Sequence, residues 1–148
     1  MNTARHAFAV ALTAAALIAP VTFASAQDAV SSVDIVRATQ DGHAYQNGGN
    51  SHEEVVDMNE HMKPYDLRLT FSEGQHNAYV TGLAVQITDA AGHPVFSLND
   101  AGPLTDVSLP AGHYRVVADF GGVKRSGSVD VKRGEPTQLY LHWLKDET

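Results

Sequence analysis

Histidine is the side chain in this 148-residue sequence with the widest range of possible chemistry, because it binds metals and exchanges protons near neutral pH. No two of the eight histidines are two or four residues apart, the spacings that place two metal ligands on one face of a strand or helix. His76, His93 and His113 fall in predicted loops and are weak candidates for a zinc, copper or nickel site if those loops converge. Asparagine or serine would serve equally well in such turns, so the metal content stays unknown and no cofactor is predicted.

Nucleophilic catalysis has little support in the sequence. The absence of cysteine excludes thiol chemistry and thiolate metal sites. No serine occurs in a G-x-S-x-G elbow or an S-x-x-K pattern. The adjacent carboxylates of Glu53 and Glu54 are better explained by the start of a helix, where acidic side chains meet unpaired backbone amides. The chain is therefore predicted not to be an enzyme.

One short helix is predicted in the polar segment over residues 27–64. Ser51 and Glu54 have the spacing of a capping box, in which hydroxyl and carboxylate each accept from a free backbone amide. The apolar residues at helical spacing, and the proline that ends the pattern, are Val55, Val56, Met58, Met62 and Pro64. We predict a helix at about 52–62, and an extended lead-in or mobile tail over Asp28–Ala44.

The C-terminal part of the sequence changes to a period of two. Leu67, Leu69 and Phe71 alternate with polar residues, as expected for a strand with one face in the core. Further runs of this kind are separated by glycine- and proline-containing turn signals. The sequence thus predicts an all-β fold, a seven-stranded antiparallel β-sandwich over 65–144, followed by a short tail at 145–148.

The first residues predict export. Arg5 precedes the apolar run Ala7–Ala19, and the small residues of Ala24-Ser25-Ala26 fit a cleavage site before Gln27. The run is short for a bilayer span, the alternative interpretation. We predict a cleaved signal peptide over 1–26, a periplasmic or secreted location, and no membrane span after cleavage. The net charge of −7 argues against a nucleic acid partner.

Three motifs carry a family resemblance. They are Val80-Thr81-Gly82-Leu83-Ala84-Val85-Gln86-Ile87, Asp89-Ala90-Ala91-Gly92-His93-Pro94-Val95 and Leu109-Pro110-Ala111-Gly112-His113-Tyr114-Arg115-Val116. Through them the segment from Tyr65 to Trp143 resembles carboxypeptidase regulatory-like domains, which have a prealbumin-like (transthyretin-like) sandwich. Segments at 48–63 and 141–143 are similar to small exported proteobacterial proteins built on this domain. The resemblance implies that Tyr114 buries its ring while its hydroxyl reaches the backbone.

The resemblance implies an accessory or adhesion module without catalysis. One branch of the transthyretin-like fold hydrolyses 5-hydroxyisourate with histidine, arginine and a Tyr-Arg-Gly-Ser ending. This chain has His142-Trp143-Leu144 in that region, so the activity is not carried over. We expect a non-catalytic periplasmic accessory or binding module that recognises a protein or envelope ligand. The alternatives are a periplasmic metal-binding protein and, with less support, a transthyretin-like hydrolase.

A partner surface is predicted on the last strand. Tyr140, His142 and Leu144 alternate with core residues and therefore point outward together. The pairs Lys124-Arg125 and Lys132-Arg133 flank one predicted strand and form a small basic strip. Edge strands often carry such residues to discourage edge-to-edge pairing, which is the favoured interpretation, and docking of an acidic partner, with Lys124 and Arg125 as the candidates, is the alternative. The predicted helix is a candidate cover for the outward patch on the last strand.

Overall fold

The computed structural model of the chain describes residues 33–145. The predicted signal peptide over 1–26 and the last three residues lie outside the described residues. The ten strands and one helix are β1 (Val36–Gln40), β2 (His43–Gly48), α1 (His52–Glu60), β3 (Leu67–Glu73), β4 (Ala78–Tyr79), β5 (Leu83–Asp89), β6 (Pro94–Ala101), β7 (Leu104–Val107), β8 (Gly112–Phe120), β9 (Val123–Val131) and β10 (Thr137–Trp143).

These strands form two sheets. The six-stranded large sheet has the order β1-β2-β7-β3-β10, and β4 pairs with the C-terminal end of β3. The four-stranded small sheet has the order β6-β5-β8-β9 and is antiparallel throughout. In the large sheet β10 runs parallel to β3, from Leu67 opposite Thr137 to Glu73 opposite Trp143.

The hydrophobic core lies between the facing sides of the two sheets. Side chains at alternate strand positions enter it, as the period of two predicts. The core members with no exposed surface are Leu67, Leu69, Phe71, Leu83, Ile87, Phe96, Ala101, Val107, Val116, Ala118 and Trp143. Trp143 packs edge-on against Phe120 with ring centroids 5.8 Å apart, so the last described strand closes the core.

The expectation of an all-β protein with two sheets is confirmed, but the expected seven antiparallel strands are not. Ten strands are present, and the β3–β10 pair is parallel. Two of the extra strands are β1, which lies within the stretch predicted as a lead-in or tail, and β2, which begins at the end of that stretch. Asp41 and Gly42, with φ of 54° and 84°, form the tight turn between them. An Asp-Gly pair is a strong hairpin signal. The polar composition of the flanking residues favoured an extended lead-in or tail instead.

The helix begins as the capping pattern predicts. The Ser51 hydroxyl accepts from the Glu54 amide at 3.2 Å, and the Glu54 carboxylate accepts from the amides of Gly49 and Asn50, both at 2.8 Å. Of the four predicted apolar residues only Met58 is fully buried, and Val56 is exposed. The helix ends at Glu60, two residues before the predicted end.

Side chains close the open sides of the sandwich. Gln40 donates to the backbone carbonyl of Ser97 on edge strand β6, and Asp41 accepts from the Ser97 amide at 3.1 Å. On the other side, the Trp143 indole donates to the carbonyl of Val123 at 2.8 Å, which joins β10 to β9. The backbone amide and carbonyl of Ser97 and the carbonyl of Val123 thereby have partners without a further strand.

Within residues 33–145, no helix is long and apolar enough to cross a membrane.

Candidate interaction surfaces

A buried polar network docks α1 on the outer face of the large sheet. Sheet register places Gln46, Asp106 and Arg68 side by side on β2, β7 and β3. Asp106 accepts two hydrogen bonds from Arg68, both at 2.7 Å, and one from Gln46 at 2.6 Å. Arg68 and Gln46 also donate to the carbonyl of Met58 near the end of α1. The helix therefore covers the part of this face formed by β2, β7 and the start of β3.

The polar network is fully satisfied. Arg68 has a side-chain exposure of 10% and Asp106 of 0%, so both charges are largely removed from water. Each has hydrogen-bonded partners, which offset much of the cost of burying a charge. Among the described residues no buried side-chain nitrogen or oxygen lacks a partner. The helix position is thus specified by polar geometry as well as by Met58.

The remainder of the same face carries exposed aromatic residues. We define the aromatic surface as Tyr140, His142, Leu144, Ser72 and Tyr79. Tyr79 on β4, Ser72 on β3 and His142 on β10 share one row of the sheet, and Tyr140 lies one row away on β10. Tyr140 is 66% exposed, Leu144 58% and Tyr79 52%. Helix α1 does not cover these residues, although the sequence made it a candidate cover for the outward patch on the last strand.

Hydrogen bonds orient two rings of the aromatic surface. The Tyr140 hydroxyl donates to the side-chain oxygen of Gln138, two residues earlier on the same face of β10. This contact restrains the Tyr140 ring, which stays 66% exposed. His142 contacts the Ser72 hydroxyl through Nδ1 at 3.0 Å, which holds the imidazole against the sheet. The surface therefore offers preorganised rings interleaved with polar groups.

The two basic residues of the predicted partner surface lie in different places. Arg125 donates to the backbone carbonyl of His142 at 3.2 Å, so it adjoins the aromatic surface at the β9–β10 edge. Lys124 is paired across strands with Asp119 and lines the outer face of the small sheet. Tyr140, His142, Leu144 and Arg125 are thus neighbours, whereas Lys124 belongs to the opposite side of the sandwich.

The three histidines considered for a metal do not converge. His76 follows β3, whose end is bound to Trp143 by a 2.9 Å bond from the Gly74 amide. His93 and His113 lie at the other end of the sandwich, since Asp89 beside His93 pairs with the residue after His113. Within residues 33–145, no three histidine or acidic residues are grouped to hold a metal ion.

Two of these histidines are instead paired with aspartates. His113 contacts Asp130 at 2.8 Å and His93 contacts Asp89 at 3.4 Å. Asp89 also accepts from the amides of His93 and Ala91, both at 2.9 Å. The hydrogen bonds from these two amides hold the pKa of Asp89 below its ordinary value, and the bond from the His93 amide has the larger effect. The pairs belong to turns and surface strands.

A second surface feature is a cleft of about 390 Å³ at the end of the sandwich near the β1–β2 turn. We call it the loop-end cleft; its walls are Gly42, His43, Ala44, Asp66, Ser108, Leu109, Pro110, Ala111 and Arg133. These residues come from four separate connections, so no local sequence motif marks them.

The serine, histidine and aspartate of the loop-end cleft are not arranged as a catalytic triad. The Ser108 hydroxyl donates to Asp66 at 3.3 Å, and His43 contacts the backbone carbonyl of Ser108 rather than its hydroxyl, at 3.0 Å. A triad needs the histidine on the nucleophilic oxygen and the carboxylate on the histidine. The contacts observed are those of a rigid loop.

No family model matches the chain, and no curated protein matches it significantly. Its function must therefore be argued from the two surfaces described above.

Proposed function

We propose that this protein is a non-catalytic periplasmic accessory or binding module that uses the aromatic surface to recognise a protein or envelope ligand. The observation that carries the proposal is the exposure of Tyr140 and Tyr79, at 66% and 52%, on either side of the Ser72–His142 contact. Tyrosine is among the residues that most often dominate binding energy in interfaces.

The division of the large sheet supports this proposal. Its outer face is covered by α1 over β2, β7 and the start of β3, where Asp106 and Arg68 are buried. The uncovered part keeps two tyrosines and Leu144 exposed on neighbouring strands of one face, and exposed apolar surface of this kind is characteristic of interaction sites when it is contiguous. A partner that covered them would remove apolar surface from water while His142 and Ser72 supplied hydrogen bonds.

The proposed family and compartment rest on the sequence. The resemblance to carboxypeptidase regulatory-like domains is supported by Tyr114, which is buried and donates to the carbonyl of Pro110 at 2.8 Å, the role that the L-P-x-G-x-Y motif implies. The two-sheet architecture is compatible with a prealbumin-like sandwich. The signal-peptide pattern over residues 1–26 supports export to the periplasm.

Retention on a bacterial envelope fraction tests the proposal. The protein, a Tyr79→Ala/Tyr140→Ala variant and a Lys124→Gln variant are incubated with sedimented envelopes and, separately, cross-linked to soluble periplasmic proteins. Because the tyrosines face away from the core, all three should fold alike by circular dichroism. The double variant should lose at least tenfold in apparent affinity in one of the two arms, and Lys124→Gln should bind like the parent.

Each outcome has a defined meaning. Loss in the sedimentation arm identifies an envelope ligand, and loss in the cross-linking arm identifies a protein partner. Equal binding by the parent and the double variant in both arms would disprove use of the aromatic surface.

A further inference from the structure

The loop-end cleft has rigid walls. The Ser108 amide donates to Ala44 at 2.9 Å, and the Thr137 amide donates to the Asp66 carbonyl at 2.8 Å. Tyr114 fixes the β7–β8 connection through its hydroxyl bond to Pro110. The backbone at Ala44, Asp66, Ser108 and Pro110 is therefore held in place before any ligand arrives, which lowers the entropic cost of binding.

Asp66 lines the cleft and has one carboxylate oxygen without a donor among the described residues. The Ser108 hydroxyl and the Leu109 amide both bind Oδ2, at 3.3 and 3.1 Å. Within the described part of the chain, Oδ1 has no hydrogen-bond donor. Burial is the main cause of the raised pKa of Tyr114. The nearby negative charges of Asp89 and Asp66 raise that pKa further. One oxygen of a charged carboxylate is thus available to a donor.

His43 presents a second acceptor. Its Nδ1 lies 3.0 Å from the backbone carbonyl of Ser108, and a carbonyl oxygen can only accept, so Nδ1 carries the proton. In the neutral imidazole the lone pair is then on Nε2, which makes no hydrogen bond to another described residue. His43 and Asp66, which both line the cleft, thus carry one negative charge and two acceptors without a donor from the described chain.

Arg133 contributes the opposite charge. It lies in the β9–β10 turn, next to the bridge between Lys132 and Glu135, and lines the same cleft. Over residues 33–145, its guanidinium makes no hydrogen bond or ion pair. A planar guanidinium binds carboxylates through two parallel hydrogen bonds. The cleft therefore has a carboxylate-binding group as well as an ammonium-binding pair.

We propose that the loop-end cleft binds a small zwitterion of the α-amino acid class. The ligand ammonium donates to Asp66 and His43, and its carboxylate accepts from Arg133. A ligand with only a negative charge would be repelled by Asp66. A ligand with only an ammonium group would leave the Arg133 guanidinium without an acceptor. The volume of about 390 Å³ falls within the size range of small-molecule sites. Pro110 and Ala111 give the wall for an apolar side chain.

Calorimetric titration of the purified protein near neutral pH tests the proposal. The probes are L-leucine, 4-methylpentanoate, which lacks the ammonium, and 3-methylbutylamine, which lacks the carboxylate. We expect L-leucine to bind with a Kd in the millimolar range or below. Each single-charge analogue should bind at least tenfold more weakly, because one wall of the cleft is left unpaired.

Variants assign the contacts. Arg133→Gln and Asp66→Asn should each weaken L-leucine binding at least tenfold. The Asp66→Asn side chain keeps one oxygen that can accept from the Leu109 amide, so the loop contact is preserved. Lys132→Gln removes a positive charge one residue away from Arg133 without altering the cleft, so its affinity should match the parent. Amide shifts of Leu109 and Ala111 in nuclear magnetic resonance spectra report binding at this site independently of heat.

Three results would overturn the assignment. They are equal affinity for all three probes, equal loss in Lys132→Gln and Arg133→Gln, and no saturable shift of the Leu109 or Ala111 amides at tens of millimolar L-leucine. None of these outcomes bears on the aromatic surface, which shares no residue with the cleft.

Discussion

The indole nitrogen of Trp143 donates a 2.8 Å hydrogen bond to the backbone carbonyl of Val123, and this bond joins the edge of the large sheet to the edge of the small one. The ring also packs on Phe71 and Phe120, so one side chain fills the core and closes one side of the sandwich. Because Trp143 points into the core, His142 and Leu144 on either side of it point to the outer face of the sheet.

Replacing Trp143 should destabilise the protein strongly. Trp143→Phe removes the donor to Val123 and part of the ring, and should lower the free energy of unfolding by about 2–3 kcal/mol. Leu144→Ala, at the next and exposed position, should change it by less than about 0.5 kcal/mol. Urea titrations followed by circular dichroism measure both. Similar midpoints for the two variants would contradict the role given to the indole.

The two adjacent glutamates at the start of α1 should differ in their contributions. Glu54→Ala leaves the amides of Gly49 and Asn50 without their acceptor and should cost about 2–3 kcal/mol of unfolding free energy. Glu53→Ala changes the same first-turn charge on an exposed side chain and should have little effect. Thermal unfolding of the two variants tests this, and equal losses would show that only the helix dipole matters.

The buried Arg68–Asp106 pair should be costly to break on one side only. Arg68→Met leaves the Asp106 charge without its bidentate partner and should destabilise by about 3–5 kcal/mol. Arg68→Met/Asp106→Leu removes both charges and should recover much of that loss. Denaturant unfolding of the single and double variants measures the difference. A double variant that is less stable than Arg68→Met would show that the network itself stabilises the fold.

Asp89 should make stability depend on acid pH. Its pKa is depressed in the folded protein by amide donors, so the charged form stabilises the fold above the ordinary value of 3.8. That contribution is lost as the pH falls through the lower folded pKa. The Asp89→Asn variant should therefore be less stable than the parent at neutral pH. The difference should disappear at acid pH, where Asp89 of the parent is protonated and uncharged. Urea midpoints across this range measure the difference, and a constant gap at all pH values would contradict it.

Alternation in the sequence was sufficient to predict two β layers and their core. Val85 and Ile87 on β5, and Tyr114 and Val116 on β8, are buried at the positions that a period of two requires. The same alternation placed Tyr140 and His142 on one outward face. These features depend on each strand alone, so local pattern was enough.

Features that depend on distant partners were not predictable in this way. The parallel β3–β10 pair joins segments 70 positions apart, as the contact of Ser72 with His142 illustrates. Arg68 has the pattern of a solvent-facing residue, yet it is buried because α1 folds over it. Tyr79 was missed because its strand has two residues, and the loop-end cleft because its members are scattered.

The parallel pairing of β3 with β10 also bears on how quickly the protein can fold. Hairpins such as β8–β9 connect neighbouring segments and can form early, whereas β3 acquires its β10 neighbour only after a loop of nearly half the chain has closed. We therefore expect a slow final phase in refolding. During that phase one edge of the hydrophobic strand β3 is unpaired. We therefore expect the partly folded chain to bind chaperones and to aggregate at high concentration.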